Sequence, residues 1–456
     1  EGFQRLSEQI GTSCPSVLVC NGTGWERKAA IALLPALSER VPADPATGKP
    51  LPTVREGVNL LFRVPRLPAW GYASLPLVEG QPAAVEDVPA VDAPVLENAR
   101  YRAEFDPATG AVESLLDKTT GRELADPEAP YGLGEYLYVS GGDDSNMLYA
   151  GEGDNPNLTV HQSTGARFEL QRLPGLGIRM LVTASCERSP QLVSTWTLWE
   201  DSPRIDLEVA LNKESERHKE AAYVAFPFQV DQPTVRFEQP NAVVTAGADG
   251  LPSACLAWFS PQHWVRVAGS AGSLAWTSAD APMATFEALY QGRWSTELKT
   301  EQGWVFSYVM NNYWSTNYKA DQGGGMRFRY SLDPTAGDSD AAAARFGWQA
   351  QSPVLTRANA LAQAGALAAE GSFAQLDRED VVITAVKPPE EGRGLIVRLW
   401  SLAPREVTVR LTTPQFAWRK ATLCDLVEAP IEALESEAGI AVVKLSPQRP
   451  TTIRLE

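Results

Sequence analysis

The feature that most constrains this chain is a long succession of short apolar segments, each about the length of a β-strand and each closed by turn residues. RFELQRL, GIRMLVTASCER, LVSTWTLWE, RIDLEVALN, EAAYVAFPFQV, HWVRVAG, GSLAWTS, GWVFSYVMNN and GMRFRYSL follow one another up to about residue 333. In the segment from Val95 onward, Tyr101, Ala103 and Phe105 alternate at the two-residue period that puts side chains on one face of a strand. Asp106-Pro107 with Thr109-Gly110, and then Lys118 to Gly121, supply hairpin turns. So many antiparallel-type strands in sequence require a large sandwich to cover their apolar faces. The 35 glycines and 34 prolines spread along the chain disfavour an all-helical fold.

The same reading divides the chain. EGFQRLSEQI has the look of a helix end, so residues 1–12 read as the close of a preceding helical element. SVLVC, AAIALLPAL, GVNLLFRVP and GYASLPLV make residues 13–90 a small β domain, with the Pro- and Ala-rich stretch at 80–94 suiting a linker. Residues 91–340 form the large β unit. Residues 341–375 are a connector in which AAAARFGWQA and ANALAQAGALAAE leave helix open, the second equally open as a flexible link. VVITAVKP, GLIVRLWS, EVTVRLTT, KATLCDL, GIAVVKL and TTIRLE make residues 376–456 a separate small sandwich.

Charge and cysteine usage narrow the partners. With 56 acidic against 40 basic residues the formal charge is −16, which repels phosphate backbones and excludes nucleic acid as the expected partner. No apolar run approaches the roughly 18 residues of a membrane span. Cys14, Cys20, Cys186, Cys255 and Cys424 are an odd set without a CxxC pair, so a reducing, cytoplasmic location is the simplest expectation. The chain starts at Glu1 and shows no signal-peptide pattern, and it reads as a piece of something longer whose upstream part, including any export signal, is not seen.

The chemistry-bearing residues are sparse. His161, His218 and His263 stand in no HxD, HxH or HExxH arrangement, so no metal site is expected in this chain. Nucleotide-binding and GxSxG motifs are absent too. The pairs Glu200-Asp201 near Trp196, and Glu214 with Glu216, place carboxylates by aromatics, a coincidence in an acid-rich chain. Trp25, Trp70, Trp258, Trp264, Trp276, Trp294, Trp348 and Trp418 read as core or domain-interface residues. Residues 139–146, VSGGDDSN, read as a solvated turn, because Asp143 and Asp144 alone are too few for a calcium cage.

The most unusual stretch is WVFSYVMNNYWSTNYKADQGGGMRFRY, residues 304–330. It enters and leaves as strand, yet carries Asn311, Asn312, Trp314, Ser315, Thr316, Asn317, Tyr318, Asp321 and Gln322 between. Amides, hydroxyls and flat aromatics suit a sugar ring, whose hydroxyls hydrogen-bond while its apolar face stacks. A β-bulge or loop whose asparagines satisfy local backbone groups explains the same residues.

VCNGTGWERKAAIALLP (19–35), VLENARYRAEFDPATGAVESLLDKTTGRELAD (95–126), NNYWSTNYKADQGG (311–324), VVITAVKPPEEGRGLIVRLW (381–400) and the closing TTIRLE together resemble, in order and over nearly the whole chain, the C-terminal half of α-mannosidases of glycoside hydrolase family 38. The resemblance implies a parent enzyme with an N-terminal α/β barrel holding a catalytic aspartate and zinc or another divalent metal, a helical bundle, and then β domains. The large β unit would be an antiparallel supersandwich resembling galactose mutarotase, flanked by the small N-terminal and C-terminal β-sandwich domains. It also implies retaining hydrolysis of α-mannosides elsewhere, no catalytic residue and no cofactor in this chain, and a loop near the mouth of the sugar site. Asn311, Asn312, Trp314, Thr316, Asn317, Tyr318 and Asp321 are then the substrate-proximal candidates, with Asn312, Trp314, Asn317 and Tyr318 expected to be solvent-accessible. A free-standing carbohydrate-binding module and a mutarotase-like aldose epimerase using His and Glu as acid and base are the alternatives.

Overall fold

The computed structural model describes residues 2–36, 39–89, 94–142, 157–270, 272–291, 295–313, 317, 319–437 and 439–456. The chain is mainly β, built from antiparallel sheets, with helices at Gly2–Gln9 and Asp340–Gln351.

The first β unit packs two sheets. Ser16–Asn21 pairs with Gly71–Glu79 in one, and Arg27–Pro35 pairs with Asn59–Leu67 in the other. Val17, Val19, Ala32, Leu34, Phe62, Val64 and Leu75 fill the space between them. In the expected connector, Ser339 caps the helix by accepting from the Ala342 amide, and Pro353 follows two residues after its end, where a proline cannot extend a helix. Beyond that point the alanine-rich stretch is neither helix nor free link. Leu355–Asn359 is a strand lying antiparallel on Ser16–Asn21, and Glu370–Ser372 lies on Gly71–Glu79. Pairing with an open sheet edge outweighs the modest helix preference of alanine. Between these strands the backbone runs against residues 9–12, so closely that a Cβ on Gly365 would stand 2.3 Å from the Gln9 carbonyl oxygen. The stretch read as a linker also contributes a strand: Glu86–Val88 forms the edge of the large sheet against Thr164–Leu173.

In the large unit, a sheet running from Ala242–Thr245 at one edge to Glu86–Val88 at the other faces a sheet centred on Glu220–Pro227. Ile205–Lys213 shows how the sequence specifies this. Its alternation turns Ile205, Leu207, Val209 and Leu211 into the core between the sheets, and the next residue on that face is Lys213. Glu220–Pro227 is buried along its whole length because both faces are covered. Ala222, Val224 and Phe226 join the inter-sheet core, while Ala221, Tyr223 and Ala225 pack into a second apolar cluster with Leu137, Phe306, Tyr308 and Tyr313. Glu220 thus begins a strand on the same face on which Lys213 ends one. The last unit pairs Val381–Lys387, Leu395–Ser401 and Pro450–Leu455 in one sheet, with Val407–Thr412 and Ile440–Leu445 in a second, around a core of Val397, Leu399, Val409, Val443 and Ile453.

Candidate functional site

Where the inter-sheet core runs out, a polar network replaces it. The Lys213 ammonium donates to Glu220 Oε1 at 2.7 Å and to the Glu214 carbonyl at 2.8 Å. Tyr138, on the neighbouring strand Tyr136–Gly141, donates its hydroxyl to Glu220 Oε2 at 2.7 Å, and Lys213 also lies 5.6 Å from the centre of that ring. Burial pushes the Glu220 carboxyl up, against the opposing pull of Lys213 and Tyr138.

Asn312 locks the unusual loop onto this network. Its Oδ1 accepts from the Glu220 amide at 2.7 Å, and its Nδ2 donates to the carbonyls of Glu216, His218 and Ala320 at 3.1, 2.9 and 3.3 Å. Its amide adds a bond to the Glu220 carbonyl. Tyr313 beside it is fully buried and donates its hydroxyl to the Gly141 carbonyl at 3.0 Å. The glycines that close the loop have distinct reasons. A Cβ at Gly323 would stand 2.8 Å from the Ser215 nitrogen, and Gly324 has φ +102°.

Two clefts adjoin this network. One, of about 240 Å³, is lined by Glu220, Met310, Asn311, Asn312, Lys319, Asp321 and Gln322. The other, of about 470 Å³, is lined among others by Tyr138, Ser140, His161, Arg188, Glu216 and His218. Ser140 Oγ and His161 Nε2 are 3.0 Å apart, and Glu216 meets Arg188 at 2.8 Å and His218 Nδ1 at 2.7 Å. Hydrogen bonds from the backbone and ring of His218 and the backbone of Arg217, helped by the Arg188 charge, hold the Glu216 carboxyl down at about 2. Asp321 is likewise lowered, chiefly by the hydrogen bond from Arg217 Nε at 2.9 Å.

The structure therefore treats the sequence candidates unequally. Asn311, Asn312 and Asp321 line one cleft together, and Asn317 is exposed. Asn312 is buried, against the expectation of exposure, because four side-chain hydrogen bonds draw it inward. Trp314, Thr316 and Tyr318 lie outside the described residues, as do Ser315, Asp143, Asp144 and Trp294. The histidines are less scattered than their sequence positions suggest, since His161 and His218 line the same cleft. Lys213, Glu220 and Tyr138 escaped sequence reasoning. The one available signal was a lysine falling on the inward phase of an otherwise apolar alternation. Among the described residues no group of three His, Cys, Asp or Glu side chains is placed to hold a metal ion.

Residues 380–451 match the family model described as the glycosyl hydrolases family 38 C-terminal beta sandwich domain. No curated protein matches the sequence. Among solved structures, an alpha-mannosidase from Enterococcus faecalis V583 superposes with a TM-score of 0.74 at 16% identity, covering 100% of this chain and 58% of that one. A glycosyl hydrolase family 38 protein from Enterococcus faecalis matches with the same score and identity over 100% of this chain and 60% of its own. The chain thus spans less than two thirds of the length of these proteins. A galactose mutarotase-like protein from Lactobacillus casei aligns over 54% of this chain at 13% identity, with a TM-score of 0.32. The family 38 resemblance read from the sequence is supported at both levels: the C-terminal sandwich matches the family's own domain model, and the whole chain has the fold of the corresponding part of the two proteins from Enterococcus faecalis.

Proposed function

We propose that this chain is the β portion of a family 38 α-mannosidase, and that its loop at residues 311–322 helps to wall a sugar site completed by sequence outside the chain. The observation that carries this reading is the alignment of the entire chain with about three fifths of an alpha-mannosidase and of a glycosyl hydrolase family 38 protein. Supporting it locally, Asn311, Lys319 and Asp321 line one cleft, and Asn312 ties its backbone to Glu220. In this reading the substrate is an α-mannoside, hydrolysis is retaining, and the carboxylate nucleophile and a zinc or similar ion belong to the catalytic domain. This chain's own part is to position: Asn312 fixes the loop's base, and the Lys213–Glu220 pair ties together the two strands that pair with those entering and leaving the loop. All five cysteines are free, which supports a reducing compartment, and no described helix is long and apolar enough to cross a membrane.

The epimerase reading gains something from His161 and Glu216 lining one cleft. It is disfavoured because a carboxyl held at about 2 is a weak base near neutrality.

The test is hydrolysis of an aryl α-mannoside by the chain alone and by the chain joined to its upstream sequence. Turnover is expected only from the longer protein, and chelator-sensitive turnover by the chain alone would overturn the proposal. In the longer protein, Trp314→Ala or Asn317→Ala should lower kcat/KM with little change in Tm.

A further inference from the structure

A separate cleft of about 370 Å³ lies on the seam between the large unit and the C-terminal sandwich. Segments distant in sequence build it: Glu238 with the turn at Pro240 and Asn241, the Gln262–His263 loop, Trp348 from the helix Asp340–Gln351, and Thr384, Arg398 and Trp400 from the C-terminal sheet. Its volume falls in the range of small-molecule sites, about 300–1,000 Å³.

The wall is rigid before any ligand arrives. His263 and Trp348 stack with centroids 4.0 Å apart and planes 27° apart. The Glu238 carboxylate, whose side chain is only 2% exposed, ties both rings: Oε1 lies 2.9 Å from His263 Nδ1, and Oε2 accepts from Trp348 Nε1 at 3.1 Å.

Arg398 adds a half-buried guanidinium, one of whose terminal nitrogens donates to the Leu426 carbonyl at 2.6 Å. The side-chain amides of Asn241 and Gln262 add both donor and acceptor capacity at the same cleft.

From this combination we infer that the seam cleft binds a pyranose ring, its apolar face against the His263–Trp348 wall and its hydroxyl oxygens on the Arg398 guanidinium and the Asn241 and Gln262 amides. A phosphate or nucleotide fits worse, because the Glu238 carboxylate faces the same space as the single arginine. The site would hold a glycan to the β portion across a joint between two domains, so occupancy would also stiffen that joint.

The test is calorimetric titration of the chain with methyl α-mannopyranoside and with glucose. A saturable one-to-one isotherm with Kd on the order of 1 mM is expected for at least one of them. Gln262→Ala and Arg398→Met should each weaken it, the arginine variant about tenfold. The exposed Asn241 has φ +55°, which glycine adopts freely, so Asn241→Gly should weaken it while keeping the parent Tm, which separates lost contact from lost fold. The Asp321→Asn variant should leave it unchanged. No saturable heat with either sugar, binding that survives both Gln262→Ala and Asn241→Gly, or binding that Asp321→Asn abolishes would each overturn the assignment.

Discussion

Lys213 and Glu220 form an ion pair of 2.7 Å in which each side chain is 1% exposed, at the point where an inward-facing strand ends and another begins. Such a pair is held by its remaining hydrogen bonds as much as by its own attraction, since desolvation of two charges opposes the Coulomb gain. Tyr138, the Glu214 carbonyl and the loop's Gln322 carbonyl provide those bonds, which links the pair to the base of the 311–322 loop.

Removing one partner should therefore cost far more than removing both. Lys213→Met leaves Glu220 buried without its cation and is expected to lower stability by about 3–5 kcal/mol. The double variant Lys213→Met with Glu220→Gln should recover much of that loss, and urea unfolding of the three proteins measures it. Equal loss in the single and double variants would show that packing, not uncompensated charge, dominates.

Asn312 and Asn317 should separate stability from surface function. Asn312→Ala abandons the buried Glu220 amide and three carbonyls, with a cost of about 1–3 kcal/mol for the groups left unpaired. Asn317 is exposed, so Asn317→Ala should change stability by no more than about 0.5 kcal/mol. Thermal melts of both variants decide the point.

Glu135 predicts a pH dependence. Burial raises its carboxyl from 4.5 to about 7, opposed by hydrogen bonds from the Gly132 amide and Gln162. The folded state then binds the extra proton between those values, so stability falls as pH rises from about 4.5 to about 7 and is flat beyond. The loss attributable to this group is at most about 3 kcal/mol. Glu135→Gln should flatten the window and exceed the parent's stability above neutrality, but not near pH 4.5. Urea midpoints across that range check it, and an unaltered slope would refute it.

The glycine run offers a steric contrast. Gly323→Ala places a methyl 2.8 Å from the Ser215 nitrogen and should cost about 1–3 kcal/mol. Gly325→Ala meets nothing within 4 Å and should be near neutral, as denaturant midpoints will show.

Strand identity and the three β units were legible along the chain because a two-residue alternation and turn residues act locally. Ile205–Lys213 and Tyr101–Phe105 carry their facing in their own sequence. The 311–322 loop stood out for the same reason, its polar and aromatic residues breaking an apolar strand pattern. What the alternation could not reveal is which inward ends meet. Lys213 and Glu220 are seven residues apart on different sheets, and only the packing of those sheets turns two charged residues into one buried pair. Likewise an asparagine in a polar loop reads as exposed until tertiary structure offers it one amide and three carbonyls, as it does to Asn312. Leu355–Asn359 shows the opposite case: an alanine-rich environment left its conformation open, and the free edge of Ser16–Asn21, more than 300 residues earlier, decided it because a strand edge must find partners for its backbone groups.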